Sequence, residues 1–266
     1  MIKTRAWWIY LLIFIISQLA AVAVMLGVRL AGGQLAATSE WAIVATLFVA
    51  NALAIALFFL FRPRSITWTS TLSGTRGAVG RRSALILLTA IPITFLVNLL
   101  QEAFFPDIPD LVGAEMLKTI MYNPLGLLTV AVLGPIAEEL LFRGGVQTDL
   151  QLHHSDQGWF VPICVSAVLF SLIHMNPAQM PIAFILGLVL CFAYWWTGSL
   201  VAPVLIHVFN NSFACLMSYV APNDDSLISF LGGKANAGIA AVICIFWLAI
   251  TLRAVSKEGL SGIEKG

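Results

Sequence analysis

The sequence predicts an all-α fold, a polytopic membrane helical bundle of about eight transmembrane helices. Three observations lead there. Hydrophobic residues make up 60% of the 266-residue chain and charged residues 10%, far from the balance of soluble domains. Several apolar runs reach or approach the ~20 residues that carry a helix across a bilayer. The two-residue alternation of outer-membrane barrel strands is absent from the sequence. A formal net charge of +1 gives no electrostatic basis for a nucleic-acid partner.

The first span is expected over 7–30. Lys3 and Arg5 precede it as they would in a signal peptide. The apolar run from Trp7 to Leu26 is longer than a signal h-region, however, and no cleavage site follows, so it reads as a retained helix. The second span is expected at 41–61. A Ser/Thr/Gly-rich connection, 62–83, then carries Arg62, Arg64, Arg76, Arg81 and Arg82. The third span covers 84–105, and the connection 106–123 is acidic, with Asp107, Asp110 and Glu115 against Lys118. Five more spans are expected at 124–143, 159–174, 180–197, 200–220 and 236–253. These divide the chain into N-terminal helices with a basic cytoplasmic loop (1–123), a catalytic core (124–220) and a C-terminal helix and tail (221–266). The sequence has no internal repeat and no soluble domain.

Positive charge sets orientation. With eight spans, Lys3, Arg5, the Arg-rich 62–83 loop, Arg253, Lys257 and Lys265 share one side, the cytoplasm. Arg29, Lys118 and Lys234 lie opposite. Both termini are then cytoplasmic in a multi-pass cell-membrane protein of the bacterial inner-membrane kind. Trp7, Trp8, Trp195 and Trp196 near span ends fit an aromatic belt. Cys164, Cys191, Cys215 and Cys244 lie in apolar runs without CxxC spacing. They read as small buried residues, not disulfide partners or metal ligands.

Chemistry is concentrated in three places. A charged residue at the bilayer centre costs roughly 2.5–3.5 kcal/mol on insertion scales. Glu138, Glu139 and Arg143, within six residues, therefore demand partners, water or a task. Glu139 and Arg143 are four apart with Glu first, the favourable order for a helical ion pair. Glu138 points about 100° away around the helix, and burial would tune it toward a general base. Pro135 is expected to kink the helix before the acids, and Gly144-Gly145 to end it after them. A structural Glu–Arg clamp is the plainer alternative.

In the fifth span, Phe170 and His174 share one face one turn apart, and Asn176-Pro177 breaks the helix. In the seventh, His207 and Asn211 share a face. They could donate to a developing oxyanion or simply join helices. Counting from the span starts places Glu138 about 21 Å from one face and His207 about 10 Å from the other, which are compatible depths in a ~30 Å core. The same count puts His174 about 22 Å from the inner face, out of step with His207. Glu138 with His174 and His207 could also hold zinc, whose bound water has a pKa near 7. No HExxH is present, and a metal-free mechanism stays open.

These residues resemble the CPBP family, the CAAX protease and bacteriocin-processing group also called Abi proteins, and in particular its CAAX prenyl protease 2 type. The family pattern is Glu-Glu-x-x-x-Arg, Phe-x-x-x-His and His-x-x-x-Asn/Asp on successive membrane helices. Here it reads Glu138-Glu139-Leu-Leu-Phe-Arg143, Phe170-Ser-Leu-Ile-His174 and His207-Val-Phe-Asn-Asn211, within about 120–220.

The resemblance implies that Glu138 activates water with help from His174. Glu139 and Arg143 would shape the site, and His207 with Asn211 would form the oxyanion pocket. The family is described both as metalloproteases and as metal-free, glutamate-dependent enzymes. Its substrates include prenylated CAAX proteins, and some members relate to bacteriocin processing or self-immunity. The expected function is an intramembrane endopeptidase acting on membrane-associated proteins or peptides, with the lipid bilayer as its other partner. Two alternatives remain: a non-enzymatic scaffold or immunity protein of the same fold, and a proton-coupled transporter. The lack of repeated halves counts against the transporter.

Overall fold

The computed structural model describes residues 7–32, 40–62, 76–105, 108, 114–153, 158–220 and 226–258. Among these, every regular element is helical. The charges expected at Lys3, Arg5, Arg64, Asp107, Asp110 and Lys265 lie outside the described residues.

The helices are α1 (Trp8–Gly32), α2 (Glu40–Phe61), α3 (Arg76–Phe104), α4 (Ala114–Tyr122), α5 (124–153), α6 (Phe160–Leu172), α7 (Met180–Thr197), α8 (Val201–Val220), α9 (Leu227–Phe230) and α10 (Lys234–Lys257). Seven of them, all but α4, α6 and α9, are long and apolar enough to cross a membrane, and α6 is a shorter apolar helix. All eight expected spans are present as helices, the fifth of them short. Outward faces are apolar: Ile239, Val242, Ile243, Phe246 and Ile250 of α10 are exposed. A soluble protein avoids such a face, and lipid favours it. The chain is a polytopic α-helical membrane protein.

Three boundaries differ from expectation. The connection 62–83 is partly helical, because α3 already begins at Arg76. The acidic connection 106–123 contains α4. Most important, Gly144-Gly145 does not end the fourth span, which winds on to His153.

The chain divides into two compact units. One holds Met1–Ile66 and Val112–Gly158, the other Thr67–Leu111 and Trp159–Gly266.

In the first unit, α5 starts at a defined cap. Asn123 Oδ1 accepts the N–H groups of Leu125 and Gly126, with Pro124 in the first turn, where its missing donor is harmless. The helix then changes winding twice. Thr129–Leu133 and Leu140–Gln147 are π-helical, and Gly134–Glu139 between them is α-helical. Pro135 sits at the junction where π gives way to α.

A glycine in a helix interior costs about 1 kcal/mol relative to alanine, yet α5 runs on through Gly144 and Gly145. The reason is packing. The Tyr10 ring of α1 lies directly on Gly145, so a Cβ there would come within 2.3 Å of it. Tyr10 is fully buried, stacks beside Phe58 at 6.2 Å and donates its hydroxyl to Phe61 O at 3.5 Å. Thr148 Oγ1 meanwhile donates to Arg143 O at 2.8 Å, the same carbonyl that accepts the Thr148 backbone N–H.

In the second unit, α3 is the common partner. Its Ile86, Ala90, Ile93 and Val97 pack with Leu186 and Leu190 of α7 and with Ala202 and Ile206 of α8. Phe95 meets Phe213 at 4.8 Å, so α8 runs parallel to α3. Helix α10 runs the other way: Arg81 and Glu258 bridge at 3.0 Å, while Leu99 packs with Leu227 and Ala237. Glu102 ends α3 by accepting the N–H groups of Leu227 and Ile228 at the start of α9. An apolar cavity of about 340 Å³ opens among Ile86, Leu188, Phe192, Trp196 and Leu248, and none of the six predicted site residues lines it.

Candidate functional site

The first motif lies wholly in the first unit. Arg143 Nη1 donates to Glu139 Oε1 at 3.0 Å, and neither side chain is exposed. The spacing predicted this pair, and the structure contains it. Arg143 is the largest of the fully buried side chains among the described residues. A buried charge is tolerated only when paired, so each partner holds the other in place. Glu138, one position earlier, is half-buried. The π turn that begins at Leu140 carries Arg143, and π turns inside α-helices recur at functional sites.

The second and third motifs lie in the second unit, where one aromatic ring brings them together. The Phe170 ring is fully buried. It meets His174 edge-on at 5.0 Å and His207 edge-on at 5.7 Å, so the two imidazole centres are at most about 11 Å apart. Phe170 thus links the two histidines although counting from span starts put them at different depths. Helix α6 begins beside Trp195, on which Trp159 stacks at 4.6 Å, and has only 13 residues, about 20 Å. His174 sits just past its end, with its backbone N–H on Ser171 O. Phe170 is held against α7 by Gly187, where a Cβ would stand 3.2 Å from the ring and 3.3 Å from Ala167 Cα.

The His174 tautomer follows from its partner. Nδ1 lies 2.8 Å from Phe170 O, and a carbonyl can only accept, so Nδ1 carries the hydrogen. In the neutral ring Nε2 then presents its lone pair. A neutral imidazole oriented this way can accept a proton from water. It also has the arrangement usual in metal-ligating histidines, with one ring nitrogen fixed on a carbonyl and the other offered to the ion. The chemistry of the imidazole donor thus fits zinc as well as a base. Among the described residues, neither unit by itself gathers three His, Cys, Asp or Glu side chains into a ligand set. The expected set draws on both units, Glu138 from one and the two histidines from the other. None of the four cysteines forms a disulfide, and three of them are buried.

Sequence reading missed a set of amides in the second unit. Asn98 Nδ2 on α3 donates to Thr94 O at 2.8 Å and to Asn210 Oδ1 at 3.4 Å. Asn210 Nδ2 in turn donates to Asn211 Oδ1 at 3.4 Å. One turn along α3, Gln101 Nε2 donates to Ala178 O at 2.9 Å, inside the turn 173–179 that carries His174. That turn is also braced by Ser171 Oγ on Met180 O at 2.7 Å and by buried Asn176, whose Oδ1 accepts Ala178 N–H. The available signal was two carboxamides three residues apart in an apolar span.

Comparison with known proteins covers the same region. Residues 121–213, about a third of the chain, match the model of the type II CAAX prenyl endopeptidase Rce1-like family. The chain is 28% identical over 104 residues to the membrane-embedded CAAX protease MroQ of Staphylococcus aureus (strain USA300). That match covers 37% of this chain and spans only 41% of MroQ. A longer match, 25% identical over 231 residues, is to the "Putative membrane peptidase YdiL" of Bacillus subtilis (strain 168), covering 80% of this chain and 89% of that one. No solved structure matches the chain. The segment matched by the family model contains all three motifs, and the chain is similar to the membrane-embedded CAAX protease MroQ and to the "Putative membrane peptidase YdiL".

Proposed function

We propose, from the Rce1-like character of residues 121–213, that this chain is an intramembrane endopeptidase. It hydrolyses peptide bonds of membrane-associated proteins or peptides, CAAX-type substrates among them. Glu138 takes the proton of the attacking water and His174 Nε2 shares that task. His207 and Asn211 stabilise the oxyanion of the tetrahedral intermediate. Glu139 and Arg143 fix the helix that presents Glu138. The observation that carries this reading is His174: its Nδ1 is committed to Phe170 O, and the same Phe170 ring supports His207.

Glu138, His174 and His207 are also the residues that would hold a zinc ion, which when bound would lower the pKa of its water to about 7. The residues' own tasks stay the same: to bind and orient water, to accept its proton and to oppose the developing charge.

The test uses the full chain in liposomes with a quenched fluorogenic peptide, prenylated and unprenylated. Glu138→Ala and His174→Ala should each abolish cleavage, a loss of about 10²–10⁴-fold for an acid–base group. Cleavage by either variant at the wild-type rate would refute the reading and favour a scaffold or immunity role. Metal analysis with chelator titration divides the two mechanisms: full activity in metal-free protein rejects the zinc version.

A further inference from the structure

We propose that Asn98 and Gln101 of α3, both outside the 121–213 segment that the family model matches, are positioning residues for the two proposed catalytic elements of the second unit. The inference rests on the hydrolase reading above. The two side chains are three residues apart, so they share one face of α3. Each reaches a different element. Asn98 acts through Asn210, whose carboxamide bonds Asn211. Gln101 holds the Ala178 carbonyl, four residues beyond His174 in the same turn.

Each contact removes a specific freedom. A carboxamide can flip end for end, exchanging donor for acceptor. Asn98 is itself fixed by Thr94 O at 2.8 Å, so it presents N–H to Asn210. Asn210 Oδ1 therefore faces α3 and its Nδ2 faces Asn211. That in turn makes Oδ1 the end of Asn211 that faces Asn210, and determines where its N–H donors point. An oxyanion pocket needs donors, so the orientation decides whether Asn211 can serve.

Gln101 acts on position. Helix α6 has already ended when the chain reaches His174, so helical hydrogen bonds no longer fix the backbone there. The turn is tied at Ser171, at Asn176 and, from another helix, at Gln101. Proline follows Asn176 and supplies no N–H, and the Ala178 carbonyl is where α3 grips this turn.

The experiment uses two near-isosteric variants that lack the donors, Asn98→Leu and Gln101→Met, in the full chain. A misplacement of about 1 Å can cost about 10²-fold in rate. Each variant should lower kcat about tenfold or more while KM stays within about twofold, the pattern of an interaction felt in the transition state. Asn98→Leu should add no further loss in an Asn211→Ala background, because the two act as a unit. Full additivity, or wild-type kcat in both variants, would overturn the proposal.

Hydrogen exchange gives a readout that does not need turnover. Gln101→Met should speed amide exchange in 173–179 and leave α10 unchanged. If the wild type cleaves no probe, the hydrolase reading fails while this arm still decides the anchoring. Unchanged exchange in 173–179 would overturn the anchoring whatever the activity.

Discussion

Arg143 Nη1 lies 3.0 Å from Glu139 Oε1, and both side chains are closed off from solvent. Removing one partner of such a pair leaves an uncompensated buried charge and costs about 3–5 kcal/mol. Glu139→Gln should therefore unfold at markedly lower temperature in detergent, and its expression should fall. Unchanged melting would mean that the ion pair contributes nothing to the fold.

Gly145→Ala should be disruptive despite being a single methyl group. The new Cβ would enter the Tyr10 ring, and the ring is fully buried against Phe58. Overpacking of this kind costs about 1–3 kcal/mol. Tyr10→Leu combined with Gly145→Ala should recover part of the lost thermal stability. Two penalties that simply add would show that the ring is not the obstacle.

Gly187→Ala tests the shelf on which both imidazoles rest. A Cβ at 3.2 Å from the Phe170 ring is slightly too close, so the ring must move by a few tenths of an ångström. Peptide cleavage should fall several-fold with little change in melting temperature, since geometry is the thing disturbed. Wild-type turnover would argue that the ring position is immaterial.

Arg81 and Glu258 meet at 3.0 Å with Arg81 well exposed, so breaking the pair should change stability by less than about 1 kcal/mol. The same contact makes a topological prediction. Cysteines at 81 and 258, in a background without the four native cysteines, should react with an impermeant maleimide from one and the same side, the cytoplasmic one. Labelling from opposite sides would break the proposed arrangement of both termini.

The helices were legible because lipid imposes a simple rule: about 20 apolar residues in succession make a span. The Glu139–Arg143 pair and the Phe170–His174 pair were legible because in both the partners are four residues apart along one stretch of chain. What spacing could not disclose depended on partners from elsewhere. Gly144-Gly145 looks like a helix end until Tyr10, more than 130 residues earlier, is seen lying on it. Asn98 and Gln101 look like ordinary polar residues in a span until their targets on α8 and beyond α6 are known. The shortness of α6 was hidden because Ile173 and His174 extend an apolar pattern after the helix itself has stopped.

That shortness has a consequence for the surrounding lipid. A helix of about 20 Å faces a hydrocarbon slab of about 30 Å, and the mismatch must be absorbed. A bilayer responds to a short apolar segment by thinning around it. Thinning over the turn 173–179 would draw headgroups and their hydration toward His174. Under the proposed hydrolysis, such a deformation would bring water closer to the bond to be cut.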